Sequence, residues 1–259
     1  MKLIIGCPIY KRDWILPHWI RCILNQSVDI SDIGFIFEVS PGDYNTINSL
    51  NIWKKMDSRI KLFEINERSD IPHFEHAPDS RQWTISKYHN MVSLRNSILD
   101  RVRYHNPDYY FSLDSDILIS DSNTIELLIS HIKQGADAVS PLMYMTPMGT
   151  NFPSVMSWRD EIGGKAYRKE KYPIGSYFKS DIIMAAKMMS KNAYSQVNYE
   201  VHSQGEDLGW SKNAGLLGME LYSASYIYAN HIMGPRMYEQ FLSTGDNRLQ
   251  LELDNYIKV

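Results

Sequence analysis

The sequence predicts an α/β fold: a mostly parallel central sheet flanked by helices, with a smaller mixed sheet beside it. Three observations predict it. Through the first half of the chain, apolar runs of strand length alternate with segments whose apolar residues recur at helical spacing. Clusters of Pro, Gly, Asn and Asp separate these segments as turn signals. Acidic residues follow directly on an aromatic strand, the place where open α/β sheets bind ligands. The 259 residues, 44% of them apolar, can bury a sizeable core, and an aromatic content of 12% is far from that of a disordered chain.

Lys2 to Cys7 reads as a buried strand stopped at Pro8, and Leu16, Ile20, Ile23 and Leu24 then recur at helical spacing. Gly34 to Val39 is a second strand, closed by Ser40-Pro41-Gly42-Asp43, and Ile60 to Ile65 a third. Met91, Leu94, Ile98 and Val102 mark an amphipathic helix that ends at Asn106-Pro107. Tyr109 to Leu113 is an aromatic strand with Asp114 at its C-terminal end. Asp121 or Ser122 caps the next helix, whose apolar face is Ile125, Leu128, Ile129 and Ile132. Ala138 to Ser140 is a strand, residues 143–180 are loops and short strands, and Ile182 to Met189 is a further strand. Gly205-Glu206-Asp207 opens a helix to about Leu217, and Tyr226 to His231 is the last strand before Gly234-Pro235. Met237, Tyr238, Phe241 and Leu242 form one helical face ahead of a charged tail.

A formal charge of −3 gives no global attraction to nucleic acid or anionic membrane. Arg168-Lys169-Glu170-Lys171 is a basic stretch interrupted by acid and reads as a solvated loop. Cys7 in a strand-like run and Cys22 on a helix-like face are expected as buried free thiols. The N-terminus is not patterned as a signal peptide, and no apolar run approaches the roughly 18 residues that span a bilayer, so a cytoplasmic protein is expected.

Asp114-Ser115-Asp116 is the first chemical constellation. Carboxylates suit hard cations, and Mg²⁺ or Mn²⁺ is commonly held by one or two of them together with substrate phosphates. Such a triplet arises by chance about once in a chain of this length and by itself reads as a polar turn or a capping Asp; its place at a strand end shifts the weight toward a ligand site. Glu206 and Asp207 begin a helix, whose positive end stabilises them; a carboxylate there also suits a general base that deprotonates an acceptor hydroxyl. His231, at the end of the last strand, is either a structural imidazole or a further ligand for Mn²⁺. His73, Glu75 and His76, with Arg81 and Trp83, read as a polar loop in preference to a second metal site.

The order of these features resembles the GT-A glycosyltransferases, and in pattern their large inverting family 2. An opening strand carries Pro8, a helix carries Arg95-Asn96, a strand ends in Asp-x-Asp, Gly-Glu-Asp opens a helix, and a His closes a strand. The resemblance spans roughly residues 2 to 233. It implies a single domain over 1–259, with a nucleotide-sugar half at 1–120, an acceptor-side half at 121–235 and a C-terminal helix and tail at 236–259. It implies that Pro8, Tyr10 and Arg12 border the nucleotide, that Glu38 or Asp43 is the acidic residue near the base, and that Arg95 and Asn96 face the nucleotide. Asp116 is then the direct ligand of Mn²⁺ or Mg²⁺, Asp114 its partner on the nucleotide and metal side, and His231 the third ligand. Asp207 is the base, with Glu206 as second choice, and Trp210 an apolar platform for the acceptor, although its place on the helix suits core packing at least as well.

The reaction so implied moves a sugar, by default from a UDP-sugar, to an acceptor hydroxyl by single displacement with inversion. A retaining transferase with the same metal site is the alternative, as is a binding module without catalysis. A nucleotidyltransferase would need a Gly-rich phosphate loop after the first strand, and Cys7-Pro8-Ile9-Tyr10 is not one. The acceptor is left open among a glycan, a small molecule, a protein and hydroxymethylated bases of phage-type DNA, and so is the oligomeric state.

Overall fold

A computed structural model of the chain describes residues 2–69, 84–145, 152–160, 163–169 and 171–244. The first half runs β1 (Leu3–Ile9), α1 (Leu16–Leu24), β2 (Ile33–Val39), α2 (Tyr44–Met56), β3 (Phe63–Glu67), α3 (Ile85–His105) and β4 (Tyr109–Leu113). It continues with β5 (Ile117–Leu118), α4 (Thr124–Lys133), β6 (Ala138–Met145), β7 (Phe152–Pro153), β8 (Met156–Trp158) and β9 (Ala166–Arg168). The last elements are β10 (Tyr177–Lys179), β11 (Ala186–Ser190), α5 (Lys191–Gln196), α6 (Glu206–Leu216), β12 (Leu221–His231) and α7 (Pro235–Thr244).

Among the described residues one sheet runs through both halves in the order β10-β12-β6-β11-β4-β1-β2-β3, with β5 added on β12 and β7 on β6. β3, β2, β1 and β4 are mutually parallel; β11 is antiparallel to both β4 and β6, and β12 is parallel to β6. The C-terminal ends of β1, β4 and β12 therefore share one edge of the sheet, where the N-terminal end of β11 joins them. β8 and β9 form a separate antiparallel pair.

Both faces of the sheet are covered, which is why its inner strands are apolar at almost every position. Successive side chains of a strand point to opposite faces. In β1, Leu3, Ile5, Cys7 and Ile9 enter a core with Trp19 of α1, Trp53 of α2 and Leu128 of α4. Ile4 turns to the other face, among Ile98 and Leu99 of α3, Tyr194 of α5 and Trp210 of α6. Gly6 shares that second face, and a Cβ there would stand 2.4 Å from Ile98 Cγ2, so α3 lies on β1 at a distance only glycine allows.

Several boundaries differ from the sequence reading. β1 continues through Pro8 to Ile9. Its pairing with β4 ends at Gly6–Ser112, so on that side the missing proline N–H interrupts no ladder. α2 was not anticipated; Ile47, Leu50 and Trp53 are its buried or half-buried side, diluted by Asn, Thr and Ser, and Asp43 caps it by accepting from Thr46 N. The third strand starts at Phe63, and β6 runs on to Met145. Asn123 precedes α4 with no side-chain cap, while Asp121 accepts from Asn123 N in a local turn. β11 begins only at Ala186, and β12 already at Leu221. Cys7 and Cys22 are buried free thiols. The stretch with His73, Glu75, His76, Arg81 and Trp83 lies outside the described residues, as do Glu170 and the tail from 245.

Candidate active site

Asp114, Ser115 and Asp116 form the turn between β4 and β5. Trp19 Nε1 donates to the Asp114 carbonyl at 3.0 Å, and Ile117 N–H closes the turn onto the same oxygen at 3.0 Å. β5 pairs antiparallel with the end of β12, His231 opposite Ile117, and Ile232 N–H donates to the Asp116 carbonyl at 2.7 Å. This short ladder fixes two segments distant in the chain side by side. As a result His231 Nε2 stands 3.5 Å from Asp116 Oδ1, and both residues are buried. Arg12, from the loop after β1, donates from Nη2 to Asp116 Oδ2 at 2.9 Å.

Asp114 turns the other way. Arg95 of α3, only 1% exposed, donates from Nη2 to Asp114 Oδ2 at 3.0 Å, from Nε to Glu206 Oε1 at 3.0 Å and from Nη1 to Ser112 Oγ at 3.1 Å. Asp207 bonds instead to Lys187 of β11, whose Nζ lies 2.5 Å from Oδ1 and 4.9 Å from the ring centres of both Tyr199 and Trp210. The sequence thus brings Asp114, Asp116, Glu206, Asp207 and His231 to one sheet edge. Gly205, at φ +131° before α6, is the turn that delivers the two carboxylates there.

Burial and charge set the protonation of this cluster. The Asp114 carboxyl is pushed up to about 6, first by burial; Arg95 opposes that shift, and Asp116, Asp207 and Glu206 add to it. Burial works to raise Asp207 too, but Lys187 and Arg95 outweigh it and hold the carboxyl below its ordinary range. Burial disfavours the charge of Arg95, yet Asp114, Asp207 and Glu206 overcome this and keep it firmly protonated. The Cys7 thiol is driven up by burial, then by Asp114 and Asp116, which makes it an inert neutral group.

The donor set fits a hard divalent cation at Asp116 and His231. Two neighbouring ligands of an octahedral ion at about 2.1 Å stand about 3 Å apart, close to the 3.5 Å between these donor atoms. Four carboxylates (Asp114, Asp116, Glu206, Asp207) face three side-chain cations (Arg12, Arg95, Lys187), which leaves one negative charge when His231 is counted neutral. Among the described residues no group of three His, Cys, Asp or Glu is arranged to close around an ion. Two protein ligands and open positions for phosphate oxygens match the way Mg²⁺ is usually held.

The other anticipated residues divide. Pro8 and Tyr10 lie at the end of β1, with Lys11 Nζ 5.2 Å from the Tyr10 ring centre. Asp43 Oδ2 accepts from Lys11 N at 2.7 Å, so it fixes the β1–α1 loop as well as capping α2. Glu38 is fully buried between β2 and α3, where Ser97 Oγ donates at 2.9 Å and Arg101 lies 3.5 Å away; burial raises its carboxyl, against the pull of Ser97, Arg68 and Arg101. Asn96 has its amide on the Tyr199 backbone, donating to the carbonyl at 3.0 Å and accepting from N–H at 2.9 Å, which ties α3 to that segment. Arg95, expected on phosphate, has its guanidinium on protein acceptors instead. Trp210, which could serve as an acceptor platform or as core packing, is fully buried in the second core and presents no face to a ligand.

Lys187 was not anticipated, although a signal existed. It is the single charge in the apolar run Ile182 to Met189, and a buried lysine needs a carboxylate partner. Next to Asp207, Leu208 lines a cavity of about 330 Å³ with Met156, Tyr167, Arg168, Met184 and Gln204.

Comparison with known proteins identifies the family. The glycosyltransferase family 25 N-terminal domain matches residues 4–171. A glycosyltransferase 25 family member of Aedes aegypti is 22% identical over 152 residues, covering 58% of this chain and 24% of that protein. The chain thus spans about a quarter of the curated relative's length. GalNAc-T7, solved with UDP, GalNAc and Mn²⁺, superposes with a TM-score of 0.64 at 10% identity, over 89% of this chain and 44% of that one. The Pyrobaculum calidifontis mannosyltransferase PcManGT, solved with GDP-Man and Mn²⁺, gives 0.57 at 8% identity, over 89% and 57%. These likenesses show the GT-A fold. The motif order resembles family 2; the family that matches is number 25, and the chain belongs to glycosyltransferase family 25.

Proposed function

We propose that this chain is a metal-dependent glycosyltransferase domain that moves a sugar from a nucleotide-sugar to an acceptor hydroxyl with inversion. The observation that carries the reading is the β5–β12 ladder, which sets His231 against Asp116 at the sheet edge where α6 delivers Glu206 and Asp207. A divalent cation held by Asp116 and His231 would neutralise the charge that develops on the departing nucleoside diphosphate. Asp207 is ionised at neutral pH because of Lys187 and Arg95, as a base must be before it acts. It takes the acceptor proton while the acceptor oxygen bonds to the anomeric carbon and the diphosphate leaves with the electron pair of the broken bond. Glu206, bonded to Arg95, is the second candidate for this role. The cavity beside Leu208 is a suitable berth for the acceptor, and a UDP-sugar is the donor class to test first.

Nucleotide-sugars screened with Mn²⁺ should give slow donor hydrolysis, and one donor should stand out. Asp116→Ala should lose donor binding and turnover together, whereas Asp207→Asn, which leaves Lys187 an oxygen acceptor, should keep most donor binding and lose about 10²-fold or more in turnover. Absence of binding or hydrolysis for every donor would leave a domain without catalysis. A product of retained anomeric configuration, read by NMR, would remove the base from Asp207.

A further inference from the structure

The carboxylate best placed to hold a divalent cation already carries a cation of the chain's own. Arg12 Nη2 lies 2.9 Å from Asp116 Oδ2, on the other oxygen from the one nearest His231. The Arg12 side chain is 21% exposed, unlike Arg95, whose side chain is 1% exposed and bonded to three protein groups. The backbone beneath it is fixed. Lys11 is held at φ +49° with its N–H on Asp43, and Trp14 Nε1 donates back to the Lys11 carbonyl at 3.0 Å. The Trp14 ring centre lies 5.6 Å from the Arg12 guanidinium, and Tyr238 of α7 packs on Trp14 at 5.6 Å between ring centres. A long side chain on a rigid loop can thus move its head without moving the loop.

A dication bound at Asp116 and His231 would stand within a few ångströms of that guanidinium, and like charges so close in a partly dry site repel each other strongly. That repulsion favours departure of the guanidinium from Asp116 when the ion arrives. A nucleotide diphosphate brought to the same ion offers it a planar acceptor of matching geometry.

We propose that Arg12 is an exchangeable counter-ion, closing Asp116 while no metal is bound and passing to the donor's diphosphate when metal and nucleotide arrive. Metal and nucleotide therefore bind cooperatively, and Arg12 is the residue that couples them. This inference rests on the metal-dependent reading of the site, and metal binding measured without catalysis separates the two.

The test is Mn²⁺ titration followed by electron paramagnetic resonance, with and without UDP, on the full chain and on Arg12→Met, Arg12→Lys and Asp116→Asn. Arg12→Met should bind Mn²⁺ about tenfold more tightly than the parent in the absence of UDP, because the guanidinium no longer has to be displaced. UDP should tighten Mn²⁺ binding in the parent and do so several-fold less in Arg12→Met. Arg12→Lys keeps the charge and should fall between them, and Asp116→Asn should abolish specific binding. A thermal melt of each metal-free variant establishes that it is folded. Unchanged or weaker Mn²⁺ binding in folded Arg12→Met overturns the exchange role while leaving the metal site standing, as does an undiminished effect of UDP. No specific Mn²⁺ binding by the parent, with or without UDP, overturns the metal reading and this inference with it.

Discussion

Lys187 and Asp207 show what a single residue contributes here. The pair is buried in the second core between Tyr199 and Trp210, so each charge depends on the other for the solvation it lost. Lys187→Met removes one charge and strands the other, which should cost about 3–5 kcal/mol of stability in a urea titration. Lys187→Met combined with Asp207→Asn should recover a large part of that loss, since no buried charge is then unpaired. A loss below about 1 kcal/mol in the single variant would mean that water reaches Asp207, and with it that the carboxylate is not held by Lys187. Residues of this kind were partly legible. Residue chemistry and strand-end placement single out Asp114, Asp116, Glu206, Asp207 and His231, and the structure brings these five together at one end of the sheet. Arg95 and Asn96 lie on α3 as expected, but the groups they bond to are protein acceptors that sequence does not reveal, since it shows which group is polar and not which acceptor lies opposite it. Trp210 is open to two readings in sequence, because an indole on a helix reads alike whether the helix face is open or packed, and the structure packs it.

At the scale of elements, the decisive piece is the placement of α6. Its first turn carries Glu206 and Asp207, and one turn on, Gly209 lies directly over the segment before the helix. A Cβ at Gly209 would stand 1.9 Å from the Glu200 carbonyl oxygen, a distance no side chain can occupy. Gly209→Ala should therefore push α6 outward, lowering the midpoint of thermal unfolding and reducing turnover together, with a stability loss on the order of 1–3 kcal/mol from overpacking. Gly215→Ala, on the same helix with nothing within 4 Å of its added Cβ, is the control and should be neutral or slightly stabilising. Equal effects of the two would show that helix propensity and not close approach decides. Periodicity revealed α1, α3, α4 and α6, whose apolar stripes are sharp or whose openings are marked. It missed α2, where Ile47, Leu50 and Trp53 are separated by polar residues and the only start signal is Asp43, already read as a turn. The late start of β11 has a similar cause. Ile182 and Ile183 are buried like strand residues but pack under α6, and Ser211 on that helix bonds to the Ile183 backbone instead of a neighbouring strand.

For the whole molecule, the sheet sets two distant stretches of chain side by side. Asp116 follows β4 near the middle of the sheet and His231 ends β12 near its edge, and β5 crosses between them. This closure was invisible in the sequence because β5 is two residues long, too short to carry any period, and its partner lies at the far end of the chain. Its consequence is that a ligand shared by Asp116 and His231 ties the first half to the second. A ligand that binds only the folded chain stabilises it by about 2.7 kcal/mol at a hundredfold excess over its Kd. For a domain of this size that amounts to a rise of about 5–10 °C in Tm. Mn²⁺ with UDP should produce such a shift and a chelator should reverse it, while Asp116→Asn and His231→Ala should each remove most of it. The size of the shift in each variant separates a shared ligand from a local one. Were the ion held by Asp116 alone, His231→Ala would melt with the full Mn²⁺ and UDP increment, and the site would belong to the β4–β5 turn instead of to the closed sheet.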